Sequence, residues 1–274
     1  MILLDTHVHI YSCFDPEDFF DSAYANFAKE AKGQGQNQPA PQAFQGFLLL
    51  TESAAENWFS RLKGGNPSLP GTFAWQVNQT QENESLVLEH RKSHHKLFLA
   101  AGRQIVTAEG LEVLALCTIQ QFADGQALAT TVDKTRQAEG LPVIPWGAGK
   151  WLGKRGKILE SFLTDYPGEI LLGDNGGRPA FWPFPSRFRH FGKRQLPVLP
   201  GSDPLPFPKE AKQVGRFGCI LTGAVSEDRP VADLKGLLNQ QQGQLLSFGA
   251  PENPWRFFRN QFAMQRVKRR RNKQ

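Results

Sequence analysis

Long apolar runs are missing from this 274-residue chain. Stretches such as residues 47–50 are far too short to cross a bilayer, so no membrane span is expected. Cysteine is scarce as well. Cys13, Cys117 and Cys219 are odd in number, widely spaced and without a C-x-x-C pair. That excludes a disulfide framework or zinc ribbon and fits a reducing compartment. The N-terminus lacks the marks of a secretory signal, because Asp5, His7 and His9 interrupt its apolar stretch and no cationic segment precedes it. A cytoplasmic location follows as the expectation. No internal repeat is evident, and the Walker A spacing is absent, which leaves nucleoside-triphosphate binding without support.

What is present is a chain of ordinary globular composition, 40% hydrophobic and 21% charged, with a net charge of +6. The charge is unevenly placed. From residue 252 onward eight Lys or Arg face one acid, Glu252, so the rest of the chain is close to neutral. A basic end of this kind gives the fold itself no nucleic-acid surface. Contact with nucleic acid or an anionic membrane is expected only through the tail.

Apolar runs of strand length near 2–9, 46–51, 96–101, 113–118, 142–147, 169–173 and 196–200 alternate with helical patterns at 17–32, 54–62, 132–139 and 157–166. Seven strand-then-helix units predict an α/β fold, a distorted seven-stranded (β/α) barrel of the TIM-barrel kind, over residues 1–251. Residues 33–46 read as a loop, and 72–95 as a hairpin inserted into the series. Residues 252–274 read as a terminal helix and basic tail, the helix docking the aromatic face of Trp255, Phe258 and Phe262.

In a strand over residues 2–9, alternation puts Asp5, His7 and His9 on one face. Two neutral imidazoles aimed at one point are ligands for Zn, Mn or Fe; bonded to backbone carbonyls they would be structural. Asp203, in Gly201-Ser202-Asp203-Pro204, is either a site carboxylate or a turn residue. Asp15, before Pro16-Glu17-Asp18, is either a ligand or the cap of the first helix.

The run Asp5-Thr6-His7-Val8-His9, followed by Ser12 and Asp15, resembles the opening motif of the PHP (polymerase and histidinol phosphatase) family of metal-dependent phosphoesterases. Gly102-Arg103-Gln104-Ile105-Val106-Thr107 is similar to that family's middle segment, and Gly201-Ser202-Asp203 to its closing motif. The resemblance implies the distorted barrel, up to three metal ions and phosphoester hydrolysis; amidohydrolases, related in their barrels, share the opening histidine pair. The ligand pattern is reduced here. Thr51-Glu52-Ser53 stands where the family has Thr-Asp-His, and Gln104 replaces a glutamate. Leu111 or Glu112, Trp146 and Leu205 fall at three further histidine positions. His7, His9, Asp15 and Asp203 survive, with Glu52 and Glu112 as substitutes, enough for one or two divalent ions.

Other strand ends offer substrate-binding groups. Lys150, Lys154 and Arg155 lie in a glycine-rich basic loop that would hold an anion or simply be solvated. Asn175 and Arg178 follow a strand, and Trp146 would line an apolar wall. His90, His94 and His95 read as a solvated connection. The expected function is metal-dependent hydrolysis, of phosphoesters first, with Asp203 as catalytic carboxylate and a small anionic substrate. The alternatives are a barrel that lost catalysis and serves as a binding or regulatory module, and an amidohydrolase-type enzyme of C–N or ester bonds.

Overall fold

The computed structural model describes residues 1–34, 43–65, 69, 73–185, 188, 190–191, 194–241 and 245–271. Most of the loop expected at 33–46 and the last residues of the tail lie outside them. Strand β1 (Ile2–Val8) leads to helix α1 (Pro16–Gln34), β2 (Gln45–Leu50) and α2 (Trp58–Lys63). The series continues with β3 (Trp75–Gln79), β4 (Ser85–His90), β5 (Lys96–Ala100), β6 (Gly102–Val106), β7 (Glu112–Leu116) and α3 (Leu128–Gln137). Then come β8 (Leu141–Pro145), α4 (Gly153–Asp165), β9 (Leu171–Asn175) and the short pair β10 (His190–Phe191) and β11 (Arg194–Gln195). The end comprises β12 (Val198–Gly201), a 3-10 helix (Pro208–Gln213), β13 (Gly218–Leu221), α5 (Pro230–Gln241), β14 (Leu246–Phe248) and α6 (Pro254–Arg271).

These strands do not close a (β/α) barrel. They form two mixed sheets, one of seven strands in the order β14-β13-β1-β2-β5-β4-β3 and one of five in the order β12-β9-β8-β7-β6, an α+β fold. The reason lies in the connections. Parallel neighbours need long crossovers, whereas short turns force antiparallel pairing. Five residues join β3 to β4, five join β4 to β5 and five join β6 to β7, and each of these pairs is antiparallel. Ala101 alone separates β5 from β6, so the chain passes directly from the larger sheet to the smaller. Among the described strands the parallel pairs are β1/β2, β2/β5, β8/β9 and β9/β12, and isolated parallel bridges join Glu52 to Arg103 and Pro179 to Glu252.

Three apolar clusters hold the layers. Helix α1 buries Phe19, Phe20, Ala23, Phe27 and Ala31, spaced to share one face, against Leu48, Leu97, Leu99 and Trp75 of the larger sheet. Residues of both sheets, among them Leu4, Phe47, Phe98, Leu114, Leu171 and Leu199, form the middle cluster, which α5 joins through Val231, Leu234 and Leu238. Leu128, Val132, Leu159 and Leu163 of α3 and α4 cover the smaller sheet over Val113, Ile144 and Leu172. Helix α6 reverses the expectation for its aromatic face. Trp255, Phe258 and Phe262 point outward, while Phe257 is buried. Helical spacing identifies which residues share a face, not which way that face turns.

The sheets meet at strand ends. The buried carboxylate of Asp5 accepts backbone N–H groups from Ser202 (2.8 Å), Gly215 (2.8 Å) and His7 (3.3 Å). Thr6 donates its hydroxyl to the Pro200 carbonyl at 3.0 Å, and Asp203 N–H donates to the His7 carbonyl at 2.8 Å. Nearby, Glu52 N–H donates to Gly102 O at 3.1 Å and Gln104 N–H to Glu52 O at 3.0 Å, tying β2 to β6. The approach of β12 to β1 requires glycine at 201, since a Cβ there would lie 2.3 Å from the His7 backbone nitrogen.

Gly201→Ala should therefore lower the unfolding free energy by about 3 kcal/mol or more, because backbone rather than a flexible side chain must move. Gly33→Ala in α1, where no atom stands within 4 Å of the new methyl, should be neutral or stabilise by a few tenths of a kcal/mol, roughly. Urea unfolding of the two variants checks the contrast.

Candidate functional site

Three side chains converge where β1 ends and β12 runs into its loop. His7 Nε2 lies 3.3 Å from His9 Nε2, and Asp203 Oδ1 lies 3.6 Å from the first and 3.7 Å from the second. Among the described residues these form a group whose ligand atoms all fall within 4.8 Å of one another, and it could hold a metal ion. Both imidazoles are buried. Their register comes from β1, whose pairing with β2 shifts between Asp5 and Val8. Asp203 reaches them from a left-handed backbone conformation (φ 46°), which aspartate tolerates better than most residues. Its Oδ2 accepts the Asn175 amide, leaving Oδ1 to face the histidines.

Gln104 completes the group. Its Oε1 is 3.0 Å from His7 Nε2 and 3.3 Å from His9 Nε2, while its amide nitrogen donates to Glu112 Oε1 at 3.3 Å. Gln104 thus brings a neutral oxygen to the site, since a carboxamide oxygen carries two lone pairs. The cluster is rich in acceptors. Two imidazole Nε2 atoms, a carboxylate oxygen and an amide oxygen face one point, and each carries a lone pair that a cation there could accept. Donor separations of 3.3–3.7 Å also match the edge of a tetrahedron with bonds of about 2.0–2.2 Å, roughly 3.3–3.6 Å.

Glu56 is the residue that sequence reading missed. Its Oε2 accepts the Ser53 N–H at 2.9 Å and faces His9 Nδ1 at 3.5 Å. That separation is longer than a good hydrogen bond, so Nδ1 is left without a closer partner. The spacing Ser53-x-x-Glu56 is a capping-box pattern and was the available signal. Burial would lower the His9 pKa, but the carboxylates of Glu56 and Asp203 outweigh it and hold it above the ordinary histidine value. Burial lowers His7, and its neighbour His9 lowers it further, against the pull of Asp203. Burial would raise Asp203, yet the two imidazoles and the Asn175 amide bring it below the usual carboxylate range.

The remaining candidates sort by position. Glu112 and Lys150 form an ion pair in a cleft of about 340 Å³ lined also by His9, Gln104, Asp203, Trp146 and Asn175. Tyr11 stacks on His9 (5.3 Å, 19°) in the same cleft, and burial raises its hydroxyl pKa, so it stays protonated as a donor. Phe257, Asn260 and Met264 of α6 roof the cleft. Other candidates point elsewhere. Asp15 is exposed and its Oδ1 accepts the Asp18 N–H at 3.0 Å, which makes it the cap of α1. Glu52 turns its Oε1 to the Phe59 N–H at 2.7 Å, near the start of α2. Arg178 is buried in a two-pronged pair with Asp174 (2.7 Å each) and holds the Trp182 carbonyl. Arg155 ties the carbonyls of Gly110 and Gly149, and Lys154 is exposed on α4. Neither is among the residues lining the cleft. His94 is exposed and pairs with Glu89 at 2.7 Å, as a solvated connection should.

No protein-family model matches the chain, and no curated protein sequence is similar to it. Among solved structures, the crystal structure of PsfC from Pseudomonas syringae PB-5123 is similar over 97% of this chain and 97% of that one, at 15% identity and a TM-score of 0.47. That likeness is too slight to carry fold or function across. No described helix is long and apolar enough to cross a membrane.

Removing the carboxylate behind His9 tests the arrangement directly. In titration calorimetry, Glu56→Ala should weaken divalent-ion binding by about 10–100-fold, as loss of an outer-shell partner does. His9→Ala should abolish binding, and Asp15→Ala should leave it unchanged.

Proposed function

We propose that this protein is a metal-dependent hydrolase acting on phosphoester bonds. The observation that carries the reading is the convergence of His7 Nε2, His9 Nε2 and Asp203 Oδ1 at the wall of a cleft that also presents Lys150. Two imidazoles and one carboxylate are the ligand type of catalytic rather than structural zinc sites, which keep a position open; Mn and Fe accept the same donors. One ion fits the described donors. When bound, it supplies Lewis acidity, lowering the pKa of a water and polarising the oxygen of the scissile group.

The chain's own residues account for the rest. Lys150 brings a cation to the mouth, where an anionic phosphoryl group can share it with Glu112. Asp203, whose Oδ2 accepts the Asn175 amide, would hold the attacking water or accept its proton through Oδ1. Trp146, Phe257 and Met264 limit access of bulk solvent. This reading keeps the activity implied by the PHP resemblance while discarding the barrel and the three-metal donor set. A cleft of this size suits a small molecule rather than a polymer.

Elemental analysis should find a transition metal near one equivalent, lost in His7→Ala. Protein that stays metal-free after addition of Mn or Zn would remove the hydrolase reading and leave a binding module. Metal-loaded protein should cleave generic phosphomonoesters, and Lys150→Ala should lower kcat/KM by about tenfold or more while metal content is unchanged. Cleavage confined to amides, lactones or carboxylic esters would overturn the phosphoester assignment.

A further inference from the structure

Helix α6 has two faces with different tasks. Phe257, Asn260 and Met264 point into the cleft. On the other side Trp255 is 81% exposed, Phe262 70% and Phe258 50%, and Arg259 is exposed beside them. At 3.6 residues per turn these four positions fall within about 100° of one another, a single stripe along the helix. In the sequence, Arg266, Lys268, Arg269, Arg270 and Arg271 follow. Phe181, 56% exposed, lies against Phe258 (ring centroids 6.2 Å, 18°) and widens the apolar patch beyond the helix. Across residues 254–271 there are seven Lys or Arg and no acid.

The helix is anchored to the body. Arg256 donates to Glu210 Oε1 at 2.8 Å and pairs with Glu252 at 3.2 Å, and Asn253 Oδ1 accepts the Arg256 N–H at 2.8 Å. Its outward stripe is therefore presented in a fixed orientation rather than hidden by fraying.

We propose that the outer face of α6, with Phe181, docks on an anionic lipid surface. Exposed aromatics and cations on one helical face suit the boundary between headgroups and acyl chains. There the rings are buried at shallow depth while the guanidinium and ammonium groups meet lipid phosphates. A second copy of the chain would satisfy the rings but bring two strongly cationic helices together. Nucleic acid would satisfy the cations, but stacking takes up rings one base at a time, whereas Trp255, Phe258, Phe262 and Phe181 form one apolar patch that a continuous lipid layer buries together. The docking is independent of the reaction proposed above and leaves the inner face of α6 on the cleft.

The test is co-sedimentation of the full chain with vesicles of phosphatidylcholine alone and of phosphatidylcholine mixed with phosphatidylserine. The protein should pellet with the mixed vesicles, much less with the neutral ones, and less as salt is raised. Trp255→Ser with Phe262→Ser should weaken partitioning by about tenfold or more, and Arg259→Glu by roughly fivefold or more, with unchanged thermal unfolding. Brominated lipid should quench a part of the tryptophan fluorescence that is missing in Trp255→Phe, a readout that does not require a polar substitution. Equal binding to both vesicle types, undiminished binding by the aromatic double variant, or quenching unaltered in Trp255→Phe would each overturn the proposal. So would binding of a single-stranded oligonucleotide in place of vesicles, or self-association that the double variant abolishes.

Discussion

A single buried carboxylate holds the site together. Asp5 accepts N–H groups from Ser202 and Gly215, residues almost two hundred or more positions away, as well as from His7 two residues on. Each is a backbone donor that would otherwise be stranded away from water, at a cost of about 1–3 kcal/mol apiece. Burial pushes the Asp5 pKa up, and the donors from Ser202, Gly215 and His7 pull it back, leaving it raised to about 6. At neutral pH the group is therefore ionised and its charge is met by the three donors. Because Ser202 is fixed, Asp203 is delivered beside the histidines; because Gly215 is fixed, the segment leading into β13 stays against β1.

The site built on that anchor is an unusual electrostatic balance. Glu56 stands behind His9, Asp203 in front of both imidazoles, and Glu112 beyond Gln104, while Lys150 is the cation lining the cleft. Carboxylates thus outnumber fixed positive charge close to the paired nitrogens. A polar cluster left incompletely satisfied is costly in a low dielectric, and proteins retain such clusters where a ligand completes them. Asp203 comes to the pair from a left-handed backbone, a conformation that aspartate tolerates and that its N–H bond to the His7 carbonyl helps to hold. The Glu56–His9 contact supplies orientation from behind, so that the Nε2 atom faces the cleft and the opposite ring nitrogen faces protein.

The histidine pair was legible because it is local: alternate residues in an apolar strand carry a face whatever the strand is paired with. Strand positions were legible for the same reason, and β1, β2, β5, β7, β8, β9 and β12 lie within the runs that apolar patterning marks, give or take one or two residues. Their pairing was not, because direction depends on what separates them. The strand at Gly102–Val106, only a residue beyond β5, carries few buried side chains and shows no apolar run, yet it moves the chain into the second sheet. Glu56 escaped because a capping-box glutamate ordinarily serves only its own backbone; nothing local reveals that its carboxylate also faces a histidine from another strand. Asp15 left two readings open in the sequence, ligand or helix cap, and the structure shows its carboxylate in the local use, accepting the Asp18 N–H.

Helix α6 shows how one amphipathic pattern serves two surfaces. Patterning measures asymmetry, and the largest rings would ordinarily be assigned to the interior. Here the interior side takes Phe257, Met264 and a buried asparagine, because it faces a polar cleft rather than a core. The bulkier rings are left outside. The mixed polar face turned inward supplies Phe257, Asn260 and Met264 to the cleft lining. The exposed aromatic stripe thus accompanies an inner face that lines the cleft, and Arg259, exposed beside the rings, gives that stripe a charged edge toward water.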